Sequence, residues 1–221
     1  MYIFPVTDVK VYSVFMPYPS KTDRQTILSA AVKDLAHRGI RGLSLRNLAA
    51  SLDLAPNAIY RYFSDRSALE AALANEAARQ LELALRKAAD GCEPVTTIRK
   101  MSSAYIKFAR DNRHLYEVMM SLHAPEHDAT FRQSLWTFTV EQVQRIVGSD
   151  RAAQASVALW AFLHGAVALE AAHVLGERKP ASGIEFGLDA WLMAVSARGK
   201  RIEGLRIKPT KKTANKKVSA R

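Results

Sequence analysis

The sequence predicts an all-α fold, and three observations support that prediction. Apolar residues recur every three or four positions along most of the 221-residue chain, which is the spacing of one buried helix face. With 10 Gly and 8 Pro, the chain is poor in the residues that are typical of β-rich or disordered proteins. The breaks between periodic stretches are short and carry residues that cap or end helices. The apolar content of 48% is enough to bury a core.

Residues 1–20 stand apart from this helical pattern. They begin with alternating apolar and polar side chains, which is a strand-like pattern, and they lack the basic start and continuous apolar stretch of a signal peptide. We therefore expect residues 1–20 to form a flexible arm. A second hypothesis places the natural start at Met16. Mass spectrometry of the native protein that finds an intact Met1 terminus would contradict it.

A helix-turn-helix domain is predicted within residues 21–66. Residues 22–39 form a longer helix with one apolar stripe, and Gly39 ends it. The next helix starts after Ser44, whose hydroxyl can cap its first turn. Pro56 suits the start of a third helix of about two turns, which is too short to be stable alone. Such a short polar helix, braced by an apolar one, is placed to enter a major groove of DNA.

This region resembles the DNA-binding domain of TetR-family transcriptional regulators. The similarity runs in order and without a gap across about 45 residues: Arg-Gln-Thr-Ile-Leu-Ser-Ala-Ala at 24–31, Gly39, Ser-Leu-Arg-Asn-Leu-Ala at 44–49, Ala-Ile-Tyr-Arg-Tyr-Phe at 58–63, Asp65, Arg66 and Leu69. The resemblance implies DNA contacts at Ser44, Arg46, Ala55, Asn57, Tyr60, Arg61 and Arg66.

The chemistry of most of these residues suits DNA. Ser44 lies at a helix N-terminus, which favours a phosphate. Arg46 can fork onto a phosphate or a guanine edge, and Asn57 can pair with adenine. Tyr60 can reach a phosphate or a thymine methyl group. Arg66 stands where the family usually has Lys, and it can still hold a phosphate.

A structural alternative exists for several of these positions. Ser44 could be only a helix cap, and Tyr60 and Phe63 could both be core residues of a small domain. For Phe63 we favour the core, whereas for Tyr60 both roles are compatible. Tyr62 stands where the family commonly has His, so we assign it no role.

The region 67–199 is predicted to be a helical ligand-binding and dimerisation bundle. We expect helices near 66–90, 95–110, 113–121, 129–147, 152–175 and 184–198. The stretch 152–175 is apolar on most sides, which indicates burial against several neighbours, including a second subunit. Trp160-x-x-x-His164-Gly165 and the segment Asn-Arg-His-Leu-Tyr-Glu-Val-Met at 112–119 resemble one subgroup of TetR-type C-terminal domains.

Aromatic and methionine side chains are concentrated in this bundle. Each of them alone is more typical of plain core, yet together they exceed what a small bundle needs, and Met adapts to varied ligand shapes. The set comprises Tyr105, Phe108, Tyr116, Met119, Met120, Trp136, Phe138 and Trp160. We therefore expect a cavity within residues 95–175 that takes a small, largely apolar molecule. His123 or His164 would supply a polar group to it, although for His164 a hydrogen bond inside the core is favoured.

The net charge of +11 is unevenly distributed. Residues 200–221 carry nine Lys or Arg and one Glu, and residues 21–66 carry eight basic and four acidic residues, whereas residues 67–199 are close to neutral. The basic head fits DNA binding driven by counterion release. We expect residues 200–221 to form a disordered tail. If the tail instead tethers the protein to DNA, its deletion lowers affinity for all sequences and flattens the salt dependence.

Several other classes of protein are disfavoured. The single cysteine, Cys92, permits no internal disulfide and fits a reducing cytoplasm. His123 and His127 have helical ligand spacing, but Pro125 lies between them, so we predict no metal site and no cofactor. No apolar run reaches the length of a membrane span, so no membrane partner is expected. No catalytic constellation is recognisable, so we predict no enzyme activity.

The sequence thus predicts a cytoplasmic, nucleoid-associated regulator with double-stranded DNA and a small-molecule effector as its partners. By resemblance, a homodimer binds a near-palindromic operator, most simply as a repressor, and an effector releases it by favouring a conformation with wrongly spaced heads. The alternative is a constitutive basic DNA-binding or architectural protein without a ligand switch, whose helical domain serves only to dimerise.

Overall fold

The computed structural model describes residues 22–121, 130–174, 176 and 180–196. Within these ranges all regular structure is α-helical, as the sequence predicts. The helices are α1 (Arg24–Gly42), α2 (Leu45–Ser51), α3 (Pro56–Tyr60), α4 (Arg66–Ala89), α5 (Pro94–Asp111), α6 (Arg113–Met120), α7 (Thr130–Val147), α8 (Ser149–Ala171) and α9 (Pro180–Ser196). The predicted arm at 1–20 and tail at 200–221 lie outside the described residues.

The head consists of α1, α2 and α3 packed against the start of α4. Side-chain caps define its helix starts: Asp23 accepts a hydrogen bond from the backbone N–H of Thr26 at 2.6 Å, and Asp65 accepts one from that of Ala68 at 2.8 Å. The short α3 is held by apolar burial rather than by its own hydrogen bonds. The core of the head consists of fully buried side chains, including Ile27, Leu35, Leu48, Ile59 and Phe63.

Helix α4 is the centre of the molecule. It packs against α1 in the head and against α5, α6 and α7 in the bundle, while α8 forms a further layer on α5, α7 and α9. The buried apolar residues form one continuous cluster from Ile27 in α1 to Leu192 in α9. Head and bundle therefore share a single core through α4.

The helix bounds differ from the expected ones mainly around α8 and α9. Helix α8 begins at Ser149 rather than near 152, because Gly148 with φ +78° is itself its N-cap. It ends at Ala171 rather than near 175, followed by His173 with φ +54°. Helix α9 begins at Pro180, where a break was expected, since proline is tolerated in the first turn of a helix.

Helix α8 bears on the expectation that no apolar run reaches the length of a membrane span. Among the described residues, this one helix is long and apolar enough to cross a membrane by length and composition, with a mean hydropathy of 1.5. Its many alanines raise the average hydropathy, although no unbroken apolar run is visible in the sequence. In the fold α8 packs on α5, α7 and α9, which is also how a core helix of a helical bundle behaves.

Candidate functional site

The α2–α3 pair presents polar side chains on a rigid apolar frame. Arg46 on α2 and Asn57 on α3 are exposed, Arg61 follows directly after α3 and is exposed too, and Tyr60 is 52% exposed. None of these four side chains bonds to another described residue. Ile59 between them is fully buried. The surface thus offers uncommitted donors and acceptors at one short helix and its neighbour.

Two of the predicted contact residues, Ser44 and Ala55, are helix N-caps, and they differ from each other. Ser44 is the N-cap of α2, and its hydroxyl oxygen accepts a hydrogen bond from the backbone N–H of Asn47 at 3.4 Å. Its capping role is therefore present, and a phosphate contact would be additional. Ala55 is the exposed N-cap residue of α3 and makes no side-chain cap.

The Arg66 side chain is exposed, but its guanidinium also forms hydrogen bonds within the protein. Its Nη2 donates to the carbonyl oxygen of Ile40 at 2.6 Å, and its Nε donates to Glu70 Oε1 at 2.7 Å. These bonds tie the start of α4 to the end of α1. A phosphate contact by Arg66 would share the guanidinium with this internal tie.

The aromatic residues after Asn57 divide between frame and surface. Phe63 is 1% exposed, which confirms the predicted core role, and the guanidinium carbon of Arg24 lies 4.9 Å from its ring centroid. The Tyr62 hydroxyl donates to the carbonyl oxygen of Thr22 at 2.8 Å, so it anchors the segment before α1. Tyr60 alone of the three points largely to solvent.

A cavity of about 560 Å³ lies between α4, α5, α6, α7 and α8. This volume is in the range of small-molecule sites. Five of the predicted ligand residues line it: Tyr105, Met119, Met120, Trp136 and Trp160. The structure does not place Phe108, Tyr116 and His164 on the wall, although Phe108 and Tyr116 are buried nearby. His123 lies outside the described residues.

Sequence reasoning missed more than half of the cavity wall. Residues from α4 line the cavity although this helix lies next to the head in sequence. The additional apolar residues are Leu81, Leu85, Ile98, Met101, Leu135, Leu159 and Leu163, and the additional polar ones are Ser102, Ser121, Arg132 and Thr139. Helical spacing marks the apolar ones as buried but does not distinguish a cavity from solid core. For Arg132 no signal in the sequence pointed inward.

A chain of hydrogen bonds leads from the cavity wall into the core. The indole Nε1–H of Trp160 donates to the Tyr105 hydroxyl at 3.1 Å, which pairs with the Tyr116 hydroxyl at 2.7 Å. The Tyr116 hydroxyl in turn lies 2.7 Å from His164 Nδ1. His164 thus bonds inside the protein, in agreement with its favoured core role. Burial raises the pKa of Tyr105, with Tyr116 adding to that shift, and burial likewise raises the pKa of Tyr116. Both phenols therefore stay protonated at neutral pH.

Helix α6 connects the cavity with the head. Its C-terminal end contributes Met119 and Met120 to the cavity wall, and its first turn carries His114. A Cβ atom added to Gly39 of α1 would lie 3.3 Å from the His114 ring, and Gly39 has φ +66°. The positive φ and the close ring both favour glycine there. A movement of α6 would therefore reach α1 directly.

The fold and the two sites together define a class of protein: a helix-turn-helix regulator with a ligand-sized cavity in a separate helical bundle. Comparison with protein families agrees. Residues 27–73 match the family described as "Bacterial regulatory proteins, tetR family", and residues 98–190 match "Tetracyclin repressor-like, C-terminal domain". The chain belongs to the TetR family of transcriptional regulators. This family is a class of transcription regulators, not of enzymes.

Solved structures show the same fold. A protein of unknown function from Rhodococcus sp. RHA1 is 25% identical with a TM-score of 0.70, and the match covers 82% of this chain and 99% of that one. The regulator SCO7222, a TetR from Streptomyces coelicolor, is 20% identical with a TM-score of 0.66 over 80% and 98%. A TetR variant from Acinetobacter baumannii AYE in complex with minocycline is 20% identical with a TM-score of 0.58 over 78% and 96%. The sequence matches no curated protein.

The described part of the chain contains no candidate metal site. No group of three or more His, Cys, Asp or Glu residues is close enough there to hold an ion. His123 and His127 are not among the described residues.

Proposed function

We propose that this protein is a ligand-released repressor that binds a near-palindromic operator as a homodimer. The observation that carries the proposal is the cavity shared by α4 and α6, because both helices also contact α1 of the head. A ligand that repositions either helix would change how the head is held. The proposed localisation is the cytoplasm, at the nucleoid.

DNA recognition is proposed for the exposed face of α2 and α3. Arg46, Asn57, Tyr60 and Arg61 would reach base edges and phosphates, since their side chains are exposed and uncommitted. Ser44, Ala55 and Arg66 would add phosphate and backbone contacts at the edges of this face. Two such heads in a dimer would then read two half-sites.

The proposed dimer interface is the outer face of α8 and α9. Large apolar side chains are exposed there, with Phe186 77% exposed, Met193 68%, Val157 53% and Leu169 47%. A soluble protein rarely leaves such a patch uncovered. Helix α9 lies close on α8, since a Cβ atom at Gly187 would stand 2.2 Å from the Phe162 ring, so the two helices form one surface. A second copy would bury this surface.

The proposed switch is a shift between two conformations. The effector binds more tightly to the conformation in which the spacing of the two heads does not match the operator. The largest factor by which it can lower operator affinity is the ratio of its own affinities for the two conformations. Contacts between α6 and α1 around Gly39 and His114, and the tie from Arg66 to Ile40, are the routes by which the bundle would move the head.

The first test is binding of purified protein to the DNA flanking its own gene, with random DNA as competitor at several salt concentrations. Tight binding that survives the competitor supports a specific regulator and provides an operator for effector screening. Binding that the competitor abolishes and modest salt erases supports the constitutive architectural protein instead, in which the basic residues 200–221 supply most of the affinity.

The cavity and the dimer have their own tests. A Trp160→Ala protein should lose its response to the effector, and a full response would remove Trp160 from the ligand site. Phe186→Glu should convert the dimer to monomers in analytical ultracentrifugation. Leu83→Glu is the matched control, because Leu83 is 55% exposed on α4, away from α8 and α9, and this variant should stay dimeric.

A further inference from the structure

We infer that the effector is an amphipathic anion, with an apolar body and one carboxylate-like group that pairs with Arg132 and Ser102. This inference rests on the proposed ligand role of the cavity and adds the chemical class of the ligand. It begins from an imbalance in the cavity wall. Most lining side chains are aliphatic, aromatic or methionine, and Arg132 is the one charged residue among the described lining residues.

Most polar groups on the wall already have partners inside the protein. The Ser121 hydroxyl donates to the carbonyl oxygen of Val118 at 2.8 Å, and the Thr139 hydroxyl donates to that of Leu135 at 2.8 Å. Tyr105 accepts from the Trp160 indole and pairs with Tyr116. These groups hold the wall in shape and do not themselves require a ligand.

Ser102 is the exception among the hydroxyl groups. It lies on α5 with 2% of its surface exposed, and its Oγ has no hydrogen-bond partner among the described residues. A buried hydroxyl without a partner is costly, and native proteins rarely leave one without a reason. Since Ser102 lines the cavity, a ligand oxygen there would accept its hydrogen.

Arg132 differs from most of the described arginines of the bundle. Five other arginines bond a carboxylate on their own or a neighbouring helix: Arg79, Arg86, Arg99, Arg110 and Arg113. Arg145 bonds Gln142 and Cys92, and Arg151 is exposed and does not line the cavity. Arg132, which is partly buried in the first turn of α7, forms no ion pair or hydrogen bond with any described residue. A guanidinium at an apolar wall has lost part of its hydration and gains from a counter-charge. The first turn of a helix also favours negative charge.

These two uncommitted groups select the ligand by charge. A carboxylate or a similar anion accepts two parallel hydrogen bonds from a guanidinium and has lone pairs left for the Ser102 hydroxyl. A cation would be repelled by Arg132. A neutral hydrocarbon would fill the apolar part of the cavity but leave the guanidinium desolvated without compensation. The apolar remainder of the wall requires that the anion carry a hydrophobic body.

The test uses two fluorescent probes that differ by one anionic group. Anilinonaphthalene sulfonate is the anion, and N-phenyl-naphthylamine is the same ring system without the sulfonate. Binding is measured to the full-length protein by probe fluorescence and by energy transfer from Trp136 and Trp160, which line the cavity. We expect the anion to bind about tenfold more tightly than the neutral probe, as one charge-assisted hydrogen-bond pair provides.

The variants separate charge from shape. Arg132→Gln should weaken the anionic probe about tenfold and change the neutral probe less than about twofold, and Arg132→Lys should retain part of the preference. Arg145→Gln is the matched control on the same helix, because Arg145 bonds Gln142 and Cys92 outside the cavity wall. It should change neither probe. Ser102→Ala should raise Tm while weakening the anionic probe, because it removes an unpartnered buried hydroxyl.

Each result decides a different point. Equal binding of both probes, or anion binding that survives Arg132→Gln, overturns the anionic class and leaves the cavity as a site for neutral ligands. Failure of both probes to show energy transfer from the cavity tryptophans overturns the ligand role of the cavity itself, and with it this inference. A folded Arg132→Gln protein, judged by circular dichroism, that loses only the anionic probe supports the inference.

Discussion

The head and the cavity hold their polar side chains in opposite ways. On the head, Arg46 and Asn57 are exposed and have no partner among the described residues, and the apolar core stabilises the helices that carry them. In the bundle, Tyr105, Tyr116 and His164 are bonded to one another in a chain that extends from the cavity wall inward. Substitutions of exposed residues on the head should therefore cost little folding stability. Substitutions in the cavity wall should cost more stability, because its polar groups are also part of the core.

The largest expected effect separates buried core residues from exposed surface residues within the head, at two aromatic residues three positions apart. Phe63→Ala should destabilise the protein by about 3–5 kcal/mol, because it empties a fully buried position. Tyr60→Ala should change stability by less than about 0.5 kcal/mol, because that ring is exposed, but should weaken operator binding. Denaturant unfolding and fluorescence anisotropy with operator DNA give the two quantities. If Tyr60→Ala unfolds the protein as readily as Phe63→Ala, the division between frame and surface is wrong.

A smaller effect is expected from a surface residue that is proposed to contact DNA. Arg46→Ala should weaken specific binding by roughly 1–3 kcal/mol if Arg46 contacts a base edge, and leave Tm unchanged. Arg99→Ala is the control, since Arg99 is an exposed arginine of the bundle that pairs with Asp189. Titrations with operator and with random DNA distinguish the roles. An equal loss on both would make Arg46 a phosphate contact.

In the bundle, one hydroxyl group should affect stability and ligand binding to different extents. Tyr116→Phe should destabilise the protein by about 1 kcal/mol, because Tyr105 and His164 lose the group that joins them. Since Tyr116 is not on the cavity wall, binding of the anionic probe should change little. Tyr105→Phe changes the wall itself and should lower both quantities. Equal loss of probe binding in the two variants would indicate that the ligand reaches Tyr116.

The smallest effect concerns pH. A hydrogen-bonded pair with Arg79 lowers the pKa of Glu76, whose oxygens accept from Arg79 Nε and Nη2 at 2.7 Å. Because the folded pKa lies below the unfolded one, this stabilisation is present above about pH 4.3 and is lost as pH falls through the folded pKa. We expect it to contribute about 0.5 kcal/mol, as for helical pairs of this spacing. Glu76→Gln should lower Tm at neutral pH but not at acid pH.

A Glu76→Gln protein with the same Tm deficit at both pH values would locate the effect in packing rather than in charge. The tyrosine chain offers the contrast, because burial raises the pKa of Tyr105 and Tyr116 and they do not titrate in this range.

The sequence by itself determined the helical class and the helix-turn-helix, and it predicted the residues that are proposed to contact DNA. These features are local: Ser44 caps the helix that follows it, Phe63 and Ile59 recur at helical spacing, and an exposed side chain such as Arg46 keeps the chemistry it has in isolation. The resemblance across residues 24–69 lies wholly within this local segment.

Only the tertiary structure decided the cavity, its polar groups and the link to the head. Leu81 of α4, Ser102 of α5 and Arg132 of α7 line the same cavity although long stretches of chain separate them. Periodicity shows that such positions are buried, but whether a space remains between the helices depends on their separation, which no local pattern encodes. Gly39 and His114 likewise meet only because α6 folds back onto α1.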